Sequence, residues 1–250
     1  MGDLLQNKVC IITGAGRGIG QAIAELFADN GAIVYANDLR QGCMTEWTDN
    51  SKNSFSGCIR PIYFDITDEL QVKENIMSIK KECGHIDILV NNAGVEFNEL
   101  IGMISARNME TMFKVNVFGT INMIQMVSRV MGRQSFGGSI INISSMVGLR
   151  GNKGQLVYSA TKGAVISITK SAAKELAPKN IRVNSIAPGL TMTKMMEQAD
   201  QEKLQSRIDN ICMGRLAKPI DIANGCLLLA SDLAGYISGQ ILPVDGCTIM

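Results

Sequence analysis

The stretch Lys8-Val-Cys-Ile-Ile-Thr-Gly-Ala-Gly-Arg-Gly-Ile-Gly20 decides the fold, because a β-rich apolar run passes directly into a turn built largely of glycine. Residues 18–30 then carry apolar side chains at helical spacing. Glycine permits a tight turn and close approach to a pyrophosphate, and the following helix offers free N–H groups and a positive dipole end. The spacing of Gly14, Gly18 and Gly20, in this strand–turn–helix context, predicts a dinucleotide-binding turn.

Short apolar runs and amphipathic stretches alternate along the rest of the chain. The further runs are 33–36, 59–64, 86–90, 139–143, 181–186 and 241–244, and the amphipathic stretches lie near 68–82, 105–132, 156–177 and 220–230. Strands that look buried rather than alternating, separated by helices, indicate a parallel sheet covered on both faces. We therefore predict an α/β fold: a single-domain, Rossmann-like, doubly wound parallel sheet of about seven strands spanning residues 1–250. The polar stretches 40–57 and 191–212 are predicted to be mobile.

Composition narrows the function classes. The 250 residues carry 24 basic and 23 acidic side chains, a net charge of +1, which gives no broad field for nucleic acid or an anionic membrane. No apolar stretch reaches the ~18 residues of a spanning helix, so we predict a cytoplasmic protein without membrane contact. The seven cysteines are scattered along the chain, and this pattern predicts free thiols. His85 is the only histidine and is expected to be a solvated loop residue, so no metal site is predicted.

A second string, Tyr158-Ser-Ala-Thr-Lys162, places a phenol and an ammonium on one face of a helix. Free tyrosine has a pKa of about 10, and a cation one turn away is expected to lower it toward a useful range. Ser145 follows the apolar run 139–143, where its hydroxyl can meet a substrate oxygen. Asn116 lies in an otherwise apolar helix, where its amide needs a specific partner. Together with a phosphate cradle, this set indicates redox chemistry on a carbonyl or alcohol.

The cofactor is predicted from Asp38, which lies eighteen residues beyond Gly20 at the end of the second strand. A carboxylate there can accept hydrogen bonds from both ribose hydroxyls and repels a 2′-phosphate. Arg17, beside the glycine turn, argues the other way because its guanidinium could pair with such a phosphate. We favour NAD(H) over NADP(H).

These features resemble the classical short-chain dehydrogenase/reductase family over about residues 8–246. The strings that carry the resemblance are TGAGRGIG at 13–20, Asp65, NNAG at 91–94, Asn116, Ser145, YSATK at 158–162 and PGLTMT at 188–193. The resemblance implies that Tyr158 is the acid for ketone reduction and the base for alcohol oxidation, that Ser145 binds the substrate oxygen, and that Lys162 depresses the tyrosine pKa and binds the nicotinamide ribose. Asn116 would hold a relay water. The implied cofactor contacts are Gly14, Arg17, Gly18, Ile19, Gly20, Asp38, Asp65, Ile66, Asn92, Ala93, Gly94, Tyr158, Lys162, Pro188, Gly189, Thr191 and Thr193.

The same resemblance bears on substrate and assembly. The stretches 214–223 and 238–246 are most like the 3-oxoacyl-thioester reductase branch, which commonly prefers NADPH, so Asp38 leaves an NAD-linked hydroxysteroid, polyol or small hydroxy-compound dehydrogenase as the alternative. Residues 191–213 lie where this family has its substrate lid.

Apolar residues on more than one face of 105–131, together with the tetrameric assembly that is typical of the family, predict a homotetramer. A non-catalytic nucleotide sensor on the same fold is the rival from another class. Cys247 stands where the family usually has glycine, which should affect only the tail.

Overall fold

The computed structural model describes residues 3–44, 47–48, 55–192 and 201–249. Its centre is one parallel sheet of seven strands in the order β3-β2-β1-β4-β5-β6-β7. The strands are β1 (Val9–Thr13), β2 (Ile33–Asp38), β3 (Cys58–Tyr63), β4 (Ile88–Asn91), β5 (Gly138–Ile143), β6 (Ile181–Pro188) and β7 (Ile241–Val244). Every apolar run in the sequence therefore forms a strand, and the predicted fold class is confirmed.

Helices cover both faces of this sheet. They are α1 (Gly18–Asp29), α2 (Glu69–Cys83), α3 (Ala106–Phe113), α4 (Thr120–Met131), α5 (Met146–Arg150), α6 (Leu156–Leu176), α7 (Gln201–Ile208) and α8 (Pro219–Ala230). Cys10 and Ile12 of β1 point into a core shared with α1 and α8, whereas Val9 and Ile11 point into a second core shared with α2, α4 and α6. Because both faces are buried, the central strands read as continuous apolar runs rather than as alternating ones.

The strand order places the site. β1 lies between β2 and β4, so the chain reverses its direction of winding there, and the connection after β1 lies against one face while those after β4 and β5 lie against the other. A crevice opens at the carboxyl ends of the strands where an α/β sheet reverses in this way, and ligands bind in it. The glycine turn, residues 91–94 and Ser145 all follow strands at this edge.

Several local predictions differ from the structure. The stretch 105–132 is not one regular helix, since a π-helical turn, Lys114–Gly119, separates α3 from α4. The short helix α5 was not predicted, and α7 lies inside a stretch that was predicted to be mobile. Parts of 40–57 and 191–212 lie outside the described residues, where that prediction is not tested.

His85 is not a freely solvated loop residue. Its Nε2 lies 3.1 Å from Oδ2 of Asp87 and its Nδ1 lies 3.0 Å from the carbonyl oxygen of Cys83. Its ring also packs edge-on against Phe136, with the centroids 5.9 Å apart. The His85 imidazole thus stabilises the segment that leads into β4, at the end of the sheet opposite the crevice.

Two features are absent from the described part of the chain. No helix there combines the length and apolar character that a bilayer span requires. No group of three or more His, Cys, Asp and Glu side chains there is arranged to hold a metal ion.

Candidate active site

The glycine turn after β1 is packed too closely for side chains. A Cβ on Gly14, whose φ is +63°, would come within 2.7 Å of the Cα of Ala93, and one on Gly20 would come within 2.2 Å of the Gly14 carbonyl oxygen. The turn therefore exposes backbone rather than side chains at the start of α1, as close approach to a phosphate requires.

Asn92 and Thr13 hold this turn in shape. The Asn92 amide donates to the carbonyl oxygens of Thr13 at 3.0 Å and Gly14 at 2.9 Å. The Thr13 hydroxyl oxygen accepts from the backbone N–H groups of Asn92 and Ala93, both at 3.0 Å. Both donors of the Asn92 amide are therefore used within the protein. Its side chain holds the turn in place, and contact with the adenosine ribose stays a prediction for Asn92, Ala93 and Gly94.

Asp38 lies at the end of β2, directly beside the turn. Its Oδ2 accepts from the N–H of Gly16 at 3.1 Å and its Oδ1 accepts from the N–H of Arg40 at 3.1 Å. The carboxylate thereby reaches the rim of the glycine turn, and a Cβ on Gly16 would lie 2.5 Å from it. Arg17 is exposed and extended at the N-cap of α1 without a side-chain cap, so the first turn of the helix keeps its N–H groups free.

These features fit a dinucleotide. The glycine-rich turn and the uncapped helix start match a pyrophosphate, and the carboxylate at the end of β2 matches a ribose diol. Gly18, Ile19 and Gly20 form the first residues of α1, so their N–H groups are the ones that such a phosphate would meet.

The family resemblance implies that Asp65 and Ile66, which follow β3, contact the adenine base. The Asp65 carboxylate accepts from the N–H of Thr67 at 2.8 Å, and so shapes the loop that leads to α2. Ile66 is buried against the π-helical turn, where a Cβ on Gly119 would lie 2.6 Å from it. Base contact by Asp65 and Ile66 stays a prediction.

On the other side of the crevice, Pro188 ends β6. Gly189 packs against Asp245 so closely that a Cβ would come within 2.7 Å of its Cα. The Thr191 hydroxyl donates to the Gly189 carbonyl oxygen at 3.1 Å, which leaves its backbone for a carboxamide. Thr193 lies outside the described residues.

The structure brings Ser145, Tyr158 and Lys162 together at the end of β5. Ser145 is the N-cap of α5, where its Oγ accepts from the N–H of Val147 at 3.2 Å, and its side chain also hydrogen-bonds Tyr158. Tyr158 and Lys162 lie one turn apart on α6, with the Lys162 Nζ 5.7 Å from the centre of the tyrosine ring. Lys162 is 5% exposed and donates to the Ile143 carbonyl oxygen at 2.8 Å. A hydroxyl, a phenol and an ammonium thus converge on one place.

The prediction that Lys162 lowers the pKa of Tyr158 below its ordinary value is wrong for this structure. Burial raises the pKa of Tyr158 well above its ordinary value, the charge of Glu96 raises it further, and the hydrogen bond with Ser145 lowers it. Desolvation outweighs any help from Lys162, whose ammonium is directed at a backbone carbonyl. Burial also lowers the pKa of Lys162 to about 8, against the opposing effect of Glu96.

Asn116 lies in the π-helical turn and has the specific partner that its burial demands. Its Oδ1 accepts from the N–H of Val95 at 2.8 Å, and its Nδ2 donates to the Val95 carbonyl oxygen at 2.9 Å and to the Thr161 hydroxyl at 3.1 Å. The amide therefore joins the strand-end segment 91–95 to helix α6. Both N–H groups of the Asn116 side chain are used within the protein. The predicted relay water would therefore have to donate a hydrogen bond to an oxygen of Asn116. π-helical turns are rare and concentrate at functional sites.

Glu96 is a site residue that the sequence analysis missed. It follows the string Asn91-Asn-Ala-Gly-Val95, accepts a hydrogen bond from the Gln155 amide, and raises the pKa values of both Tyr158 and Lys162. The only signal in the sequence is its position next to that string. A negative charge thus lies at the rim of the cluster.

The buried lysine predicts a pH-dependent stability. With a folded pKa of about 8, Lys162 loses its proton in the folded state while the unfolded chain still binds it, so stability rises as pH increases above 8. From about pH 7.5 to about pH 9.5, we expect the wild type to gain roughly 2 kcal/mol of unfolding free energy relative to Lys162→Met. Urea unfolding measures this. Lys174→Met, at an exposed position of the same helix, is the control and should follow the wild type, whereas parallel curves for wild type and Lys162→Met would contradict the prediction.

Comparison with known proteins agrees with this geometry. A family model described as enoyl-(acyl carrier protein) reductase matches residues 14–247. The chain is 40% identical over 242 residues to the 3-oxoacyl-(acyl-carrier-protein) reductase of Thermotoga maritima, covering 97% of this chain and 98% of that protein. It is 39% identical over 244 residues to the 3alpha-hydroxysteroid dehydrogenase of Mediterraneibacter gnavus, covering 97% of each, and 38% identical to the 3-oxoacyl-(acyl-carrier-protein) reductase of Aquifex aeolicus. The chain therefore belongs to the short-chain dehydrogenase/reductase family and is an oxidoreductase acting on a ketone or an alcohol.

Proposed function

We propose that the protein is an NAD(H)-dependent oxidoreductase that interconverts a 3-oxoacyl thioester and its secondary alcohol, with Tyr158 as acid and base. The observation that carries the proposal is the convergence of Ser145, Tyr158 and Lys162 at the strand end that faces the glycine turn. The Asp38 carboxylate at the rim of that turn supports NAD(H), since it would repel a 2′-phosphate.

In the direction of reduction, Ser145 donates a hydrogen bond to the substrate carbonyl oxygen and Tyr158 delivers the proton to it. Bound nicotinamide supplies the hydride. The neutral phenol is the stable form of Tyr158 in this buried position, which suits a proton donor. Lys162 then stabilises the phenolate that forms, because its ammonium lies 5.7 Å from the ring centre. In the oxidation direction the same groups act in reverse order.

Two substrate classes are supported by the relatives. Those named as 3-oxoacyl-(acyl-carrier-protein) reductases support the thioester. The relative named as a 3alpha-hydroxysteroid dehydrogenase, at similar identity, supports a hydroxysteroid as the second candidate. Glu96 favours the second, because a carboxylate at the rim disfavours an anionic substrate and can accept a hydrogen bond from a hydroxyl group.

A cofactor and substrate panel tests the proposal. Purified protein is given NADH or NADPH with a 3-oxoacyl thioester, a steroid ketone or a small diketone, and kcat/KM is measured for each pair. We expect the highest value for NADH with the thioester. A clear preference for NADPH would overturn the cofactor assignment, and a higher value for the steroid ketone would replace the proposed substrate with the second candidate.

Glu96→Gln is expected to shift the pH profile of alcohol oxidation to lower pH. Glu96 raises the pKa values of Tyr158 and Lys162, so removing its charge lowers both. Because Glu96 is exposed, the shift should be modest, roughly half a pH unit, and should shrink in high salt. The apparent pKa of kcat/KM measures it, with Glu110→Gln, an exposed acid of α3, as control. An unchanged profile at low salt would show that Glu96 does not act on the pair.

The remaining parts of the proposal concern the substrate lid, the oligomeric state and the cellular compartment. We assign the substrate lid to residues 191–213, which include α7. Exposed apolar side chains support a homotetramer: Phe118 is 56% exposed beside α4, and Leu156 is 53% exposed at the start of α6. Free thiols at all seven cysteines support a reducing compartment, for which we propose the cytoplasm.

A further inference from the structure

Two cysteines far apart in sequence meet across a short antiparallel pairing. Ile211, after α7, forms an antiparallel bridge with Thr248 of the C-terminal tail. One step further along, the N–H of Cys212 donates to the carbonyl oxygen of Cys247 at 3.2 Å, and on the other side the N–H of Ile249 donates to the carbonyl oxygen of Asn210 at 2.8 Å. Cys212 and Cys247 therefore lie opposite each other on paired backbone.

This placement suits a disulfide. Residues facing each other across an antiparallel pair have Cα atoms about 5 Å apart, inside the range that a disulfide spans without moving the backbone. Both cysteines are free and exposed. The neighbouring Cys247 thiol is also the largest of the effects that raise the pKa of the Cys212 thiol.

We propose that Cys212 and Cys247 form a reversible intramolecular disulfide by exchange with a low-molecular-weight disulfide. One thiolate attacks a sulfur of the oxidant and releases one thiolate from it, giving a mixed disulfide. The neighbouring thiolate attacks the protein sulfur of that mixed disulfide and releases the second small thiolate. Two protein thiols are oxidised to one S–S bond, the oxidant is reduced to two thiols, and the two protons pass to them through solvent.

The cross-link joins three parts of the molecule near the candidate active site. The tail is already tied to α5, because Nη1 of Arg150 donates to the carbonyl oxygen of Thr248 at 2.6 Å. Helix α5 begins directly after Ser145. A bond between residues 212 and 247 would therefore fix the segment after α7 against the tail that contacts α5. The raised pKa of Cys212 keeps the exchange slow at neutral pH and makes it faster as pH rises.

Cys247 also occupies a backbone position that glycine tolerates better. Its φ is +59°, in the left-handed region, and its N–H donates to the Asp245 carboxylate at 3.1 Å. Cys247→Gly therefore fits the backbone, cannot form the bond, and gives a variant whose folding is not in question. The proposal does not rest on the proposed activity, and its test needs no substrate.

The test uses the full chain and oxidised glutathione as probe. The reduced protein is equilibrated with the probe, blocked with N-ethylmaleimide, digested with trypsin and analysed by mass spectrometry. We expect peptides 208–215 and 216–250 to be joined, with fragment ions that place the bond at Cys247 and not at the buried Cys226. The midpoint of thermal unfolding should rise by roughly 5 °C on oxidation. Cys212→Ser and Cys247→Gly should lose the joined peptides and the rise, while Cys43→Ser keeps both.

Three results would overturn the proposal. The first is separate glutathione adducts on the two cysteines without the joined peptides. The second is a disulfide between two chains, seen as a dimer band on a non-reducing gel that Cys247→Gly removes. The third is a wild type, equilibrated with the probe, in which Cys212 and Cys247 both still react with N-ethylmaleimide.

Discussion

Replacing Tyr158 by phenylalanine lowers kcat for ketone reduction roughly 10³-fold, which corresponds to about 4 kcal/mol of transition-state stabilisation. The substitution removes the hydroxyl and keeps the ring that packs 5.7 Å from the Lys162 ammonium. Ser145 can still bind the substrate oxygen, but it cannot replace the proton that the phenol delivers. KM should change little, because the hydroxyl acts mainly in the transition state. Steady-state oxidation of NADH with the best ketone of the panel measures the loss.

A second tyrosine offers a matched control. The hydroxyl of Tyr35 on β2 also has partners, lying 3.1 Å from the Sγ of Cys83 and accepting from Nη1 of Arg60 at 2.7 Å. Tyr35→Phe removes the same group from a position in the other part of the sheet and should keep kcat. NADH binding, followed by cofactor fluorescence, should be retained in both variants. If Tyr158→Phe keeps kcat within a few-fold of the wild type, another group must supply the proton.

Replacing Asp38 is expected to change the cofactor preference by roughly 100-fold in the ratio of kcat/KM for NADH to that for NADPH. The reason is charge: the carboxylate accepts hydrogen bonds from a ribose diol, and it repels a phosphate in the same place. Asp38 also holds the glycine turn through the N–H of Gly16, so a simple truncation would weaken both cofactors. The ratio of the two kcat/KM values, rather than either value alone, is therefore the quantity to measure.

Two variants separate these effects. Asp38→Asn removes the charge and one of the two acceptor oxygens, and its remaining oxygen can accept from the N–H of Gly16 or from that of Arg40. Asp38→Ala removes both. We expect both variants to relieve discrimination against NADPH, and Asp38→Ala to bind either cofactor less tightly than Asp38→Asn does. An NADH to NADPH ratio that is unchanged in both variants would contradict the assignment of Asp38 as the residue that selects the cofactor.

Much of the fold was predictable because buried parallel strands leave a strong local pattern. Runs such as 33–36 are apolar throughout, and each predicted run formed a strand, with bounds that differ by no more than two residues. The glycine turn and Tyr158-Ser-Ala-Thr-Lys162 were readable for a similar reason. A glycine-rich turn, and two residues one helical turn apart, are encoded by neighbours in the sequence.

What could not be predicted depends on neighbours that are distant in sequence. The upward shift of the Tyr158 pKa comes from burial and from Glu96, neither of which can be read from a five-residue string. The Asn92 amide, which follows β4, donates to the carbonyl oxygens of Thr13 and Gly14 at the end of the neighbouring strand β1. The contact between Cys212 and Cys247 exists only because the tail returns to the segment after α7.

The π-helical turn changes how the surface of the 105–131 region should be judged. A turn that closes i→i+5 contains an extra residue, which rotates everything beyond it about the helix axis by roughly 100°. A helical wheel drawn at a constant 100° per residue therefore divides the one buried face of this region into two separate faces. Met112 and Val127, on opposite sides of the π-helical turn, are both buried within this chain. The apolar surface that argues for a neighbouring subunit is accordingly narrower than the sequence suggests, and it is represented by exposed side chains such as Phe118 and Met109.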